Sequence, residues 1–194
     1  MAGTTNTDAL GYLDAMRTLL DNIDAIAIDA LSDLLFHTWR DDRTVLVFGN
    51  GGSAVTASHW VTDLVKTAAV EGQRRLRAMC LVDNVGLTTA IANDIEYLES
   101  FRYVLESYAR PADVAVAISA SGNSPNVVAA CEWAKSHSVK VVTLTGFAGG
   151  KIAGLADLHI HVPSDNYGLI EDLHMAVGHM VAQSLQSRVM KEVV

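Results

Sequence analysis

The segment 114–126, VAVAISASGNSPN, constrains the fold more tightly than any other part of the chain. An apolar, β-branched run from Val114 to Ile118 stops at Ser119-Ala120-Ser121-Gly122-Asn123-Ser124, and Pro125 then opens an alanine-rich helical stretch. Ser124 stands where an N-cap belongs and Pro125 at the first helical position, where its missing N–H costs nothing. A strand therefore delivers three hydroxyls and a glycine to a helix N-terminus, whose free N–H groups and dipole favour an anion. The loop holds no acid or base, so it is suited to holding a phosphate rather than to transforming one. A polar strand-to-helix loop with a good cap would present the same residues.

A second loop of the same kind strengthens the anion-site reading. Residues 44–53, TVLVFGNGGS, form another buried strand followed by Gly49-Asn50-Gly51-Gly52-Ser53 and the helical stretch 54–68. Two such units predict a ligand held across the carboxyl ends of neighbouring strands, as in open α/β sheets. Gly49, Gly51 and Ala54 also fit the dinucleotide pattern G-x-G-x-x-A. That pattern requires an acidic residue about 20 positions further on, at the end of the next strand. Here Lys66 to Arg75 is helix end and loop, so the dinucleotide reading fails. The P-loop pattern fails too, because Gly149-Gly150-Lys151 lacks both the spacing and the following Ser or Thr.

The order of elements then defines the class. A long helix over 8–39 precedes strands at 44–48, 77–82, 113–118, 140–145 and 158–162. Helices fall between them at 54–68, 85–92, 96–108, 125–137 and 150–155, and a last helix covers 168–190. Strands alternating with helices predict an α/β fold: a three-layer α/β/α domain on a central, mainly parallel sheet. With 194 residues, half of them hydrophobic, the chain reads as a single domain over 1–194, with its α/β core at 44–190. The apolar stripe of the 8–39 helix is too broad for one solvent-facing helix, which predicts packing on a partner copy.

Charge and cysteine usage exclude other classes. A net charge of −8 disfavours a nucleic-acid binder, and Arg74-Arg75-Leu76-Arg77 is the sole basic knot. Cys80 and Cys131 fall inside predicted elements, as reduced core residues do. No apolar run reaches membrane-spanning length, and MAGTTNTDALGYLD lacks the charged start and apolar centre of a signal peptide. A cytoplasmic protein with no membrane partner is expected.

Some polar residues are not needed by a core. His59 and Asp63 lie four apart on the helix after the glycine loop and share a face. Glu171 and His179 lie eight apart on the last helix, roughly 80° around its axis. Two imidazoles and two carboxylates on two helices suit a divalent metal such as zinc. An exposed i,i+4 pair and acidic residues in a helix's first turn would account for the same letters. Asp172 and His174 compete with Glu171 for the inward face. His37, His137, His159 and His161 read as surface or strand-end residues.

The motifs GNGGSAVTASH (49–59), AIAND (90–94), AISASGNSPNVVAA (117–130), VVTLTGFAGGKIAGLADLHIHVPS (141–164) and EDLHMAVGH (171–179) resemble the sugar isomerase (SIS) domain family. Within it the chain is most similar, over about 44–183, to phosphoheptose isomerases, which convert sedoheptulose 7-phosphate to D-glycero-D-manno-heptose 7-phosphate. The resemblance implies that Asn50, Gly51, Gly52, Ser53, Asn93 and Asp94 line the sugar. It implies that Ser119, Ala120, Ser121 and Ser124 bind the phosphate. It also implies that His59, Asp63, Glu171 and His179 hold one zinc ion, with Asp63, His179 and Glu171 as the catalytic set. A homotetramer with sites shared between subunits is implied as well.

The chain departs from that pattern. Phosphoheptose isomerases usually carry Glu where Asp63 stands and Gln where Glu171 stands, with a longer, Arg-containing approach to that Gln. Asp63 draws its carboxylate back by about one C–C bond, and a misplacement of about 1 Å can cost 100-fold in rate. Glu171 adds a charge that favours a cation and can supply the lost reach. The leading expectation is an aldose–ketose isomerase of a phosphorylated sugar of heptose size. A non-catalytic SIS sensor or partner-binding protein, and an isomerase of a different sugar phosphate, are the alternatives.

Overall fold

A computed structural model describes residues 8–192; the predicted reading of the first seven residues lies outside that range. Five parallel strands form one sheet: β1 (Thr44–Gly49), β2 (Arg77–Cys80), β3 (Val114–Ser119), β4 (Lys140–Thr145) and β5 (Leu158–His161), in the order β2-β1-β3-β4-β5. Val45 pairs with both Ala78 and Val114, so β1 sits between β2 and β3. The central strands are buried on both faces, as parallel strands covered by helices must be.

The helices are α1 (Ala9–Asp21), α2 (Ala25–Arg40), α3 (Gly52–Thr62), α4 (Val85–Asp94), α5 (Arg102–Tyr108), α6 (Pro125–Ser136), α7 (Gly150–Ala153) and α8 (Tyr167–Glu192). Helices α2, α3 and α8 cover one face, burying Leu31, Leu35, Trp60, Val177 and Val181 against Val45, Val47, Val116 and Leu144. Helices α5 and α6 cover the other, with Phe48, Phe101, Leu105 and Val127 in its core. The predicted three-layer fold is the one observed.

Several boundaries differ from expectation, four of them at places where the element breaks or stops early. The 8–39 helix is two helices, because Asn22 and Asp24 redirect the backbone. Asn22 Nδ2 donates to Thr18 O (2.7 Å), and Asp24 Oδ1 accepts from Ala27 N (3.0 Å) to cap α2. The 54–68 helix becomes α3 followed by a π turn over Asp63–Thr67. The 96–108 helix is a 3₁₀ turn at Tyr97–Glu99 and then α5. Strand β2 ends at Cys80, two residues early, as the outermost strand on its side.

Helix α1 is held to α8 where Tyr12 Oη donates to Asp172 Oδ2 (2.6 Å). Burial, with Asp172 second, pushes the Tyr12 phenol up to about 12. Cys80 and Cys131 are buried free thiols whose pKa values burial raises to about 12, which makes both inert core residues.

Candidate active site

The strand order reverses between β1 and β3, and ligands of open α/β sheets bind at that switch point. The loops after these two strands are the glycine loop and the serine loop. Between them lies a cleft of about 290 Å³ lined by Asn50, Gly51, Gly52, Ser53, Ser119, Ala120, Ser121, Ser124, Tyr167 and Glu171. A hollow of about 380 Å³ at the β2 edge, lined by Met79, Leu81, Leu87, Val104 and Tyr108 among others, is more apolar.

The serine loop is shaped by its own backbone. Ser119 Oγ accepts from Gly122 N and Ser121 Oγ accepts from Asn123 N, each at 3.2 Å. Ser124 caps α6 by position, yet its hydroxyl makes no capping hydrogen bond. Pro125 has no N–H and Val127 N–H is taken by Asn126 Oδ1, so this end of α6 offers the cleft the free Ser124 hydroxyl and the positive end of the helix dipole. On the opposite wall α3 begins at Gly51, also with no side-chain cap.

Two close approaches lock α3 against α8. A Cβ on Gly52 would stand 2.5 Å from Glu171 Oε2, and a Cβ on Gly178 would stand 2.5 Å from Trp60 Cδ1. At Gly178 the neighbour is a buried ring and only glycine admits the contact; at Gly52 the Glu171 carboxylate would have to swing aside. Trp60, buried to 1 % exposure, also donates its indole N–H to His174 O (3.0 Å). The two helices run side by side in the same direction, so the residues of α3 and the following turn that face α8 meet it in the same chain order.

One turn beyond Trp60 this register brings His59, Asp63 and His179 together. His59 Nε2 lies 3.1 Å from His179 Nε2, and Asp63 Oδ2 lies 3.3 Å from the first and 3.4 Å from the second. Asp63 opens the π turn, a distortion frequent at functional sites, and its other oxygen accepts from Thr67 Oγ1 (2.8 Å). The three donor atoms fit one zinc ion. Two atoms bound to zinc at about 2.0–2.2 Å and at tetrahedral angles lie roughly 3.3–3.6 Å apart.

Three of the four expected ligands form this group, and Glu171 stands outside it. Its carboxylate packs on Gly52 at the start of α3 and faces the serine loop across the cleft. Asn93 and Asp94 also stand apart: they are exposed at the end of α4, where Asn93 Nδ2 donates to Asp94 Oδ1 (2.7 Å), and neither lines the cleft.

Of the competing residues, Asp172 is exposed and holds Tyr12, whereas His174 is fully buried beneath the cleft. Burial drives the His174 pKa down to about 4, although Thr145 O accepts from its Nε2 (3.3 Å) and pulls the other way. Tyr167 was not foreseen; it joins the cleft from the first residue of α8, its ring edge-on to Phe147 at 5.0 Å. An exposed aromatic directly before a helix, flanking a Gly, is the signal that could have marked it.

The SIS domain family matches residues 11–146, and the chain belongs to that family. Among its relatives, a probable phosphoheptose isomerase of Thermoplasma volcanium is 36% identical over 180 residues, covering 93% of this chain and 91% of that protein. The lincomycin biosynthesis protein LmbN of Streptomyces lincolnensis is 41% identical over 163 residues; these are 79% of this chain but 59% of that longer protein. The solved phosphoheptose isomerase of Neisseria gonorrhoeae superimposes with a TM-score of 0.84 at 29% identity, covering 92% of this chain and 94% of that one.

Proposed function

We propose that the protein is an aldose–ketose isomerase that interconverts sedoheptulose 7-phosphate and D-glycero-D-manno-heptose 7-phosphate. The observation that carries this reading is the convergence of the His59, Asp63 and His179 donor atoms, within 4.8 Å of one another, from α8 and from the helical stretch that starts at the cleft's glycine loop. A sensor or partner-binding module needs the phosphate loop but not that triplet. The relatives named phosphoheptose isomerase, similar over nearly the whole chain, support the heptose as substrate.

Ser119, Ser121 and Ser124 and the first turn of α6 hold the phosphate, so that remote binding energy fixes the reacting carbons. Asp63 takes a proton from C1 of the ketose. The C1–H electron pair becomes the C1–C2 double bond, and the carbonyl pair moves onto O2, which takes a proton from His179. Return of a proton to C2 and loss of the O1 proton leave the aldehyde at C1. Zinc, where His59 Nε2, Asp63 and His179 Nε2 would hold it, would polarise the sugar oxygens on which negative charge develops and so replace the His179 proton, since a metal-bound imidazole nitrogen has none to give. Glu171 and Tyr167, on the cleft wall, accept hydrogen bonds from sugar hydroxyls.

The same reading places the protein in the cytoplasm as a homotetramer. Leu10 and Ile26 are 71 % and 83 % exposed on α1 and α2, apolar surface that subunit packing would cover. The test of function is turnover of sedoheptulose 7-phosphate by protein stripped of metal and then resupplied with zinc. Conversion restored by zinc is expected; no conversion in either state, with phosphosugar still bound, would favour the sensor.

A further inference from the structure

Behind the cleft, a chain of hydrogen bonds ties the glycine loop to the serine loop and to the turn before α5. Asn50 and Asn126 form a reciprocal amide pair: Asn50 Nδ2 donates to Asn126 Oδ1 (2.9 Å), and Asn126 Nδ2 donates to Asn50 Oδ1 (3.0 Å). Tyr97 Oη donates to Asn50 Oδ1 (2.7 Å), and Asn126 Nδ2 also donates to Ser100 Oγ (3.0 Å). Asn126 and Ser100 are 2 % and 1 % exposed, so this end of the chain is walled off from water.

The polarity of the whole chain follows from one backbone group. Val127 N–H can only donate, and it donates to Asn126 Oδ1 (3.0 Å). That fixes which side of the Asn126 amide is oxygen, and the reciprocal pair then fixes Asn50. With Asn50 Oδ1 accepting from Asn126, the Tyr97 hydroxyl must be a donor. A carboxamide nitrogen carries two hydrogens, and Asn126 uses one of those on Asn50. Asn50 lines the cleft, where the second is free.

We infer that Tyr97 and Asn126 are positioning residues: they lock the Asn50 carboxamide so that the glycine loop presents an N–H donor to an oxygen of the sugar. The inference rests on the cleft being the sugar-phosphate site. It makes Asn50 selective for an acceptor oxygen, a carbonyl or hydroxyl lone pair, next to the held phosphate. Removing Tyr97 Oη releases one side of the amide; placing a carboxylate at 126 sets oxygen against oxygen in either orientation of Asn50 and so ends the lock.

The test uses Tyr97→Phe, at an exposed position where the fold is safe, and Asn126→Asp. Affinity for sedoheptulose 7-phosphate and for inorganic phosphate is measured by calorimetry, beside the melting temperature and the ¹⁵N–¹H side-chain signals of Asn50. For Tyr97→Phe a loss of roughly 5- to 10-fold in sugar-phosphate affinity is expected, the equivalent of one ordinary hydrogen bond, with phosphate affinity and melting temperature unchanged. For Asn126→Asp a larger loss of the same selectivity is expected. In both, the Asn50 amide signals must shift, whatever sugar the protein turns over. Unmoved Asn50 signals would overturn the inference, as would equal weakening of phosphate and sugar phosphate. Wild-type protein that binds phosphate but not sedoheptulose 7-phosphate would instead overturn the substrate assignment, and the amide signals would still decide the role of Tyr97 and Asn126.

Discussion

Replacing Gly178 by Ala tests whether the contact between α3 and α8 sets the catalytic triplet. The new Cβ would lie 2.5 Å from Trp60 Cδ1 and 2.6 Å from Cε2. Carbon atoms pack at about 3.5–4.0 Å, so the helices must part by roughly 1 Å unless the indole moves. Trp60 has nowhere to go: it is buried against the core and tethered to His174 O. Overpacking of this kind costs about 1–3 kcal/mol. At about 2–4 °C per kcal/mol for a chain of this length, the melting temperature should fall by roughly 2–12 °C. Metal sites tolerate only about 0.2 Å in ligand distance, so separating His179 from His59 and Asp63 by most of an ångström should weaken zinc binding. Turnover should fall about 100-fold. Melting curves with and without zinc, a zinc titration and steady-state kinetics read all three. A variant with wild-type melting and zinc affinity would refute the reasoning. A less stable variant with unchanged zinc affinity and turnover would show that the contact supports the fold without setting the site.

Other perturbations probe separate parts of the account. Ser121→Ala combined with Ser124→Ala should weaken phosphate binding by about 1.5–3 kcal/mol for each charged hydrogen bond lost, measurable by calorimetry, while leaving the melting temperature near that of wild type. Glu171→Gln, equal in size and outside the triplet, should keep zinc affinity within a few-fold; a complete loss of metal would contradict its placement against Gly52. Burial lowers the His174 pKa from 6.5 to about 4, so the unfolded chain binds more protons between those values. Stability should therefore be full above about pH 6.5 and decline by up to about 3 kcal/mol as pH falls to 4; His174→Gln should flatten that slope in denaturant titrations at successive pH values.

How much of this was legible in the sequence varies with the range of the interactions involved. The serine and glycine loops were readable because strand, turn residues, cap and Pro125 are local signals, and the structure brings both loops to one cleft. The pairing of His59 and Asp63 was readable from helical spacing. Their meeting with His179 was expected only through the family resemblance, since it depends on Trp60 seating on Gly178, 118 positions away in the chain. Glu171 was read by the same resemblance; in the structure its carboxylate packs on Gly52 at the start of α3. Asn93 and Asp94 were placed by motif alone, and nothing in a helix-end dipeptide says which way it faces. The break at Asn22–Asp24 went unseen because the apolar stripe continues across it.

The central claim is that the His59–Asp63–His179 triplet moves a proton between C1 and C2 of a phosphorylated ketose. The most direct measurement is incubation of zinc-loaded protein with sedoheptulose 7-phosphate in deuterium oxide, followed by proton NMR. The account predicts an aldose carrying deuterium at C2 and recovered ketose carrying deuterium at C1, with both signals abolished in Asp63→Asn and His179→Gln. Wild-type protein that binds the phosphosugar yet neither converts nor labels it, or an Asp63→Asn, His179→Gln double variant that labels it at the wild-type rate, would contradict the claim.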